Sequence, residues 1–131
     1  MKKTGVINAP ISSVIAELGH MDILTIADAG LPIPRDVHRI DLALTKGIPG
    51  FIDTLRVVLS EMQVEKVIVA NEMEQISPNM LNKVQHLLGK IPINFVPHQQ
   101  FKDLTKSSRA IIRTGEFTPY ANIILMSGVV F

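Results

Sequence analysis

Short runs built almost wholly from branched apolar residues alternate along this chain with stretches of helical period, and that alternation limits its fold more than any other feature. Ile23-Leu24-Thr25-Ile26-Ala27 and Lys66-Val67-Ile68-Val69-Ala70 are the clearest such runs. A strand wetted on one face alternates polar with apolar residues, so runs like these predict strands covered on both faces. Further strands are expected at about 39–44, 91–96, 110–113 and 122–126.

Between them, Ile11, Val14, Ile15 and Leu18 follow the spacing of a one-faced helix, with Pro10 suited to its first turn and Gly19 to its end. Ile52, Leu55, Leu59 and Met62 form a second such face. Leu81, Val84 and Leu88 form a third, capped by Ser77-Pro78 and stopped at Gly89, and a short helix is expected from Phe101 to Ser107. No repeat or linker interrupts the pattern. The expectation is an α/β fold: a single layered domain over residues 1–131, with a mostly parallel central sheet flanked by helices.

Composition narrows the function by exclusion. With 13 Lys+Arg against 12 Asp+Glu, the net charge of +1 gives no field that selects nucleic acid or an anionic membrane. The absence of cysteine removes disulfide scaffolds and thiolate metal sites together, and fits a reducing cytoplasm. No export signal or membrane span is expected, because the longest apolar stretch, Ala121 to Phe131, is about half a span. A hydrophobic content of 47% is high for so small a domain, which predicts apolar surface shared with other copies. The apolar tail Ile123 to Phe131 is accordingly expected to be docked, against its own domain or between subunits.

Open parallel sheets collect ligands beyond the strands' C-terminal ends, where loops converge. His20, Asp28, Asn71, Glu72 and His98 are assigned to such connections. His20 and Asp28 suit proton transfer, since histidine titrates at about 6.5 and can both give and take a proton. His20 also reads as a cation favoured by the helix end before it. Asp28 ends an apolar strand, where an unpaired charge is costly. His98 follows a proline at another strand end. His38 and His86 read as surface residues. Tyr120 and Asn122 open an apolar strand and carry groups that read sugar hydroxyls, although a tyrosine there also serves simple packing. Lys102, Glu72 and Glu74 read first as solvated charges, with Lys102 able to reach a ligand from its short helix.

No dinucleotide fingerprint, P-loop or His-Glu-x-x-His pattern occurs. His20, Asp28, His98 and Glu72 lack ligand spacing, so no metal is expected.

Two segments then stand out together: Gly19-His20-Met21-Asp22-Ile23-Leu24-Thr25-Ile26-Ala27-Asp28-Ala29-Gly30-Leu31-Pro32, and Arg113-Thr114-Gly115-Glu116-Phe117-Thr118-Pro119-Tyr120-Ala121-Asn122-Ile123-Ile124-Leu125. They closely resemble the D-ribose pyranase and L-fucose mutarotase family, and the likeness runs essentially end to end. The resemblance implies interconversion of pyranose and furanose forms of D-ribose, with the furanose supplied to ribokinase in ribose catabolism and with no cofactor. It implies His20 as proton donor and Asp28, His98 and Tyr120 to Asn122 as sugar-binding positions. It also implies a homo-oligomer, a decamer of two pentameric rings, with sites between neighbouring subunits. Mutarotation of L-fucose or another sugar, and non-catalytic sugar binding linked to transport, are the alternative readings.

Overall fold

A computed structural model describes residues 1–131. The elements are α1 (Ala9–Glu17), β1 (Ile23–Ala27), β2 (Arg39–Asp41), α2 (Phe51–Leu59), β3 (Val64–Ala70), α3 (Asn71–Ile76), α4 (Pro78–Leu88), β4 (Ile93–Val96), α5 (His98–Thr105), β5 (Ala110–Arg113) and β6 (Ile123–Ser127). The six strands form one sheet in the order β2-β5-β1-β6-β3-β4. β5 pairs in parallel with β1 and β2, and β4 pairs in parallel with β3, whereas β6 runs antiparallel to both β1 and β3. The mostly parallel α/β architecture is therefore borne out, with one reversed strand in the interior.

Strand alternation divides the core between the two faces of the sheet. Leu24, Ile26, Ile112, Ile123 and Leu125 meet Ile11 and Val14 of α1, Phe51, Leu55 and Val58 of α2, and Leu81 and Val84 of α4 in a cluster of 23 buried residues. Ala27, Ile111 and Ile124 point the other way, toward Phe101 of α5 and the Leu31–Val37 segment. Both faces being covered explains why the interiors of β1, β5 and β6 are almost wholly apolar, with Arg113 and Ser127 only at their ends. Thr25 is the exception on β1, and its hydroxyl meets Ser108 Oγ at 2.7 Å, so the polar group is buried with a partner.

Several boundaries differ from expectation for local reasons. α2 buries Phe51, Thr54, Leu55 and Val58, leaving Ile52 and Leu59 partly exposed, so its inward face is rotated from the one anticipated. A short helix, α3, occupies residues read as a loop. Ser77 does not cap α4 with its side chain; its hydroxyl donates instead to the Pro119 carbonyl at 2.7 Å. α5 starts at His98, three residues earlier than Phe101. Of the tail, Ile123–Ser127 is strand, while Val130 is 84% and Phe131 100% exposed on the single chain, so its own domain does not cover its last residues. No helix is long and apolar enough to cross a membrane.

Candidate active site

The reversal of β6 decides which residues share an edge of the sheet. Asp28 follows the C-terminal end of β1 and His98 follows that of β4, while Tyr120 and Asn122 precede β6. Because β6 runs opposite to β1, its beginning lies on the same edge as their ends. Asp28, Gly30, Leu31, Pro32, His98, Pro119 and Tyr120 line one open cavity of about 280 Å³ there. Pockets for drug-sized ligands run from about 300 to 1,000 Å³, so this one suits a small molecule.

Asn122 is 1% exposed and clamps Asp28 from both ends of its amide. The Asp28 N–H donates to Asn122 Oδ1 at 2.8 Å, and Asn122 Nδ2 donates to Asp28 Oδ2 at 3.0 Å. Since a backbone N–H only donates, the amide orientation is fixed by this pair. Asp28 Oδ1 accepts from the Gly30 N–H at 2.9 Å. The carboxylate is thereby held in one orientation, and Asn122 positions it; its amide is already engaged by Asp28.

His98 opens α5, and its N–H donates to Glu72 Oε2 at 2.9 Å. Glu72, read as a solvated charge, thus ties α3 to the start of α5. The imidazole stacks on Phe101 at 6.2 Å between ring centroids and takes Tyr120 edge-on at 5.0 Å. Its Nδ1 is buried and meets no hydrogen-bonding partner. A buried polar atom left unpaired carries a penalty of about 1–3 kcal/mol, so it is a natural point for a ligand hydroxyl. Lys102, one turn along α5 from His98, is half-buried but does not line the cavity.

Tyr120 adopts φ 62°, a left-handed conformation that costs a non-glycine residue about 1–2 kcal/mol. Two braces hold it there. Ser77 binds the preceding carbonyl, and Glu116 fixes the loop from the other side. Glu116 Oε1 accepts from the Phe51 N–H at 3.0 Å, and Oε2 accepts from Thr118 Oγ1 at 2.8 Å. The first bond supplies α2 with the N-terminal acceptor that Gly50 lacks. Burial alone would push the Glu116 carboxyl up, but the N–H groups of Phe51, Thr118 and Phe117 and the Thr118 hydroxyl hold it below the ordinary glutamate range.

His20 lies elsewhere. It precedes β1, so it occupies the sheet edge opposite Asp28, and a five-residue strand spans about 17 Å. Assigning His20 to the C-terminal edge was incorrect for one chain: the helix-to-strand turn places it beside the end of β6. That turn is tied down at several points. The Gly19 N–H donates to Asp22 Oδ2 at 2.8 Å, the Met21 N–H to the Ser127 carbonyl at 2.9 Å, and Arg109 pairs with Asp22 at 3.2 Å. The Gly19 N–H, opposed by desolvation and helped by the Arg109 guanidinium, holds the Asp22 carboxyl below its ordinary range. Asp22 is therefore a structural carboxylate of this turn. His20 itself contacts Glu65 and lines a second cavity of about 480 Å³ with Leu18, Met62, Gly128, Val130 and Phe131. Asn71 and Glu74 lie outside both cavities, His38 and His86 are exposed, and no three His, Asp or Glu side chains gather as metal ligands.

Comparison with known proteins gives one consistent answer. The chain is 56% identical to a D-ribose pyranase of Laribacter hongkongensis and 57% identical to one of Coprothermobacter proteolyticus, over 131 residues and the full length of each chain. The structure of Bacillus subtilis RbsD complexed with D-ribose superposes with a TM-score of 0.97 at 48% identity, covering all of both chains. The profile of the RbsD / FucU transport protein family matches residues 1–130, and the chain belongs to that family.

Proposed function

We propose that this chain is a cofactor-independent isomerase that interconverts the pyranose and furanose forms of D-ribose. The full-length identity to proteins named D-ribose pyranase, with the fold of a ribose-bound relative, carries this reading. No observation favours L-fucose mutarotation or passive sugar binding over it.

The chemistry asks little beyond positioning and proton transfer. Ring opening protonates the ring oxygen as its bond to the anomeric carbon breaks, while the anomeric hydroxyl loses its proton and becomes the aldehyde carbonyl. Closure by the 4-hydroxyl, which loses its proton as the carbonyl oxygen gains one, gives the furanose. No carbon–carbon or carbon–hydrogen bond breaks, so a positioned acid, worth roughly 10² to 10⁴ in rate, suffices. In this reading His20 delivers the proton. Asp28, held by Asn122, and His98, through its free Nδ1, take sugar hydroxyls, Tyr120 walls the cavity, and Lys102 stands one helical turn away.

Since His20 and Asp28 flank opposite edges of one sheet, the working site joins His20 of one copy to the Asp28 cavity of another. Such a contact uses two different surfaces and, repeated with a rotation that closes, builds a ring. The exposed Val129, Val130 and Phe131 beside His20 are apolar surface that a second copy would cover. The decamer of two pentameric rings, the cytoplasmic location and the supply of furanose to ribokinase follow from the family resemblance.

His20→Ala is expected to slow D-ribose ring exchange, followed by saturation-transfer NMR, by about 10² or more while the oligomer persists. Wild-type exchange by the variant would overturn the reading.

A further inference from the structure

β3 carries an irregularity placed opposite the His20 turn. The register of β3 against β6 shifts between Val64 and Lys66, so Glu65 is the extra residue of a bulge. Bulges re-aim a side chain out of the strand's alternation. Across from it stands Gly128, where a side chain would crowd: a Cβ there would lie 3.2 Å from the Glu65 Cβ. The redirected carboxylate reaches His20, with Oε2 at 2.7 Å from Nε2.

The neighbouring carboxylates are otherwise engaged. Asp22 is held by Gly19 and Arg109, and Glu61 Oε1 accepts from the Val6 N–H at 2.6 Å and from Lys2 at 3.5 Å. Glu65 alone contacts the imidazole. Both side chains are about half exposed, at 51% and 50%, and ion pairs of that kind add little stability. A bulge and an empty Cβ position arranged around a pair worth so little for folding suggest that its value is orientation.

Resting on the assignment of His20 as the acid, we propose that Glu65 is the positioning residue of His20: its carboxylate holds the Nε2–H, so that Nδ1 is the nitrogen that exchanges a proton with the sugar. A carboxylate can only accept, which keeps the hydrogen on Nε2 in both charge states of the ring and leaves Nδ1 to gain and lose the mobile one. The acid thus meets its substrate with a fixed nitrogen and a fixed ring plane.

The test compares Glu65→Met, which keeps length and removes the acceptor, with Glu65→Gln, which keeps a neutral one, and with Gly128→Ala, which crowds the bulge. Each is assayed as the assembled oligomer for kcat and KM with D-ribose, beside His20→Ala. The His20 Nε2–H proton is observed in ¹⁵N-histidine-labelled protein. The expected result is a kcat loss of about tenfold to a hundredfold in Glu65→Met with KM little changed, and loss of the Nε2–H signal. Glu65→Gln should recover most of both, and Gly128→Ala should fall between. Wild-type kcat in Glu65→Met, with His20→Ala impaired, would overturn the role of Glu65 and leave that of His20 standing. Wild-type kcat in His20→Ala would overturn the underlying assignment. Should Glu65→Met not assemble, undiminished kcat and an unchanged Nε2–H signal in Gly128→Ala would overturn the proposal.

Discussion

Asn122 shows how much of this cavity is set by a residue that does not line it. Its amide satisfies the Asp28 N–H and one carboxylate oxygen at once, in a position only 1% exposed. Asn122→Ala is expected to cost about 1–3 kcal/mol in chemical denaturation, because the Asp28 N–H is left without its partner, and to weaken D-ribose binding measured by calorimetry. Asn122→Asp should cost more, since it sets a second carboxylate against the first. Unchanged stability and affinity in both would remove Asn122 from this role. The sequence made Asp28 and His98 readable as candidates, because a charge or imidazole where an apolar strand stops needs a reason. It did not reveal that Asn122 serves Asp28, since a pairing across 94 positions leaves no local mark.

At the scale of elements, Glu116 joins the N-terminus of α2 to the loop that carries Tyr120. Glu116→Ala should destabilise the fold by about 1–2 kcal/mol, the usual range for losing an N-terminal acceptor. The pH dependence has a definite sign. The carboxyl is held below its ordinary value of 4.5 in the folded chain, so its contribution is complete above that value and is lost as pH falls through the lower folded value. The stability gap between wild type and Glu116→Gln, measured by denaturant titration from neutral to acid pH, should therefore narrow below the ordinary glutamate range. A gap that widens on acidification would contradict the assignment. Most elements were legible because both-face burial writes continuous apolar runs and helix faces write a regular spacing. The direction of β6 was not legible, as an apolar strand reads the same either way. The bulge did leave a trace: Glu65 and Lys66 are adjacent charges that break the alternation between Val64 and Val67.

Across the whole molecule, the two edges that carry the candidate residues His20 and Asp28 face away from each other, separated by the length of β1. Met21 at φ 70° and Tyr120 at φ 62°, the two non-glycine residues with positive φ, stand one at each edge. Strained residues of this kind concentrate where a site over-determines its backbone. The strand expected at Ile23–Ala27 already stands between His20 and Asp28 in the sequence, and a strand's two ends lie on opposite edges of its sheet, so their separation was legible there. With His20 as the acid and Asp28 as a sugar ligand, as proposed, this separation calls for a site shared between copies. The most direct test is to co-express His20→Ala with Asp28→Asn, each nearly inactive alone, and to measure D-ribose ring exchange by the purified mixed oligomer. A site shared between copies predicts recovery toward about a quarter of wild-type activity, from interfaces that pair an intact His20 with an intact Asp28. A mixed oligomer no more active than its parents would contradict the account.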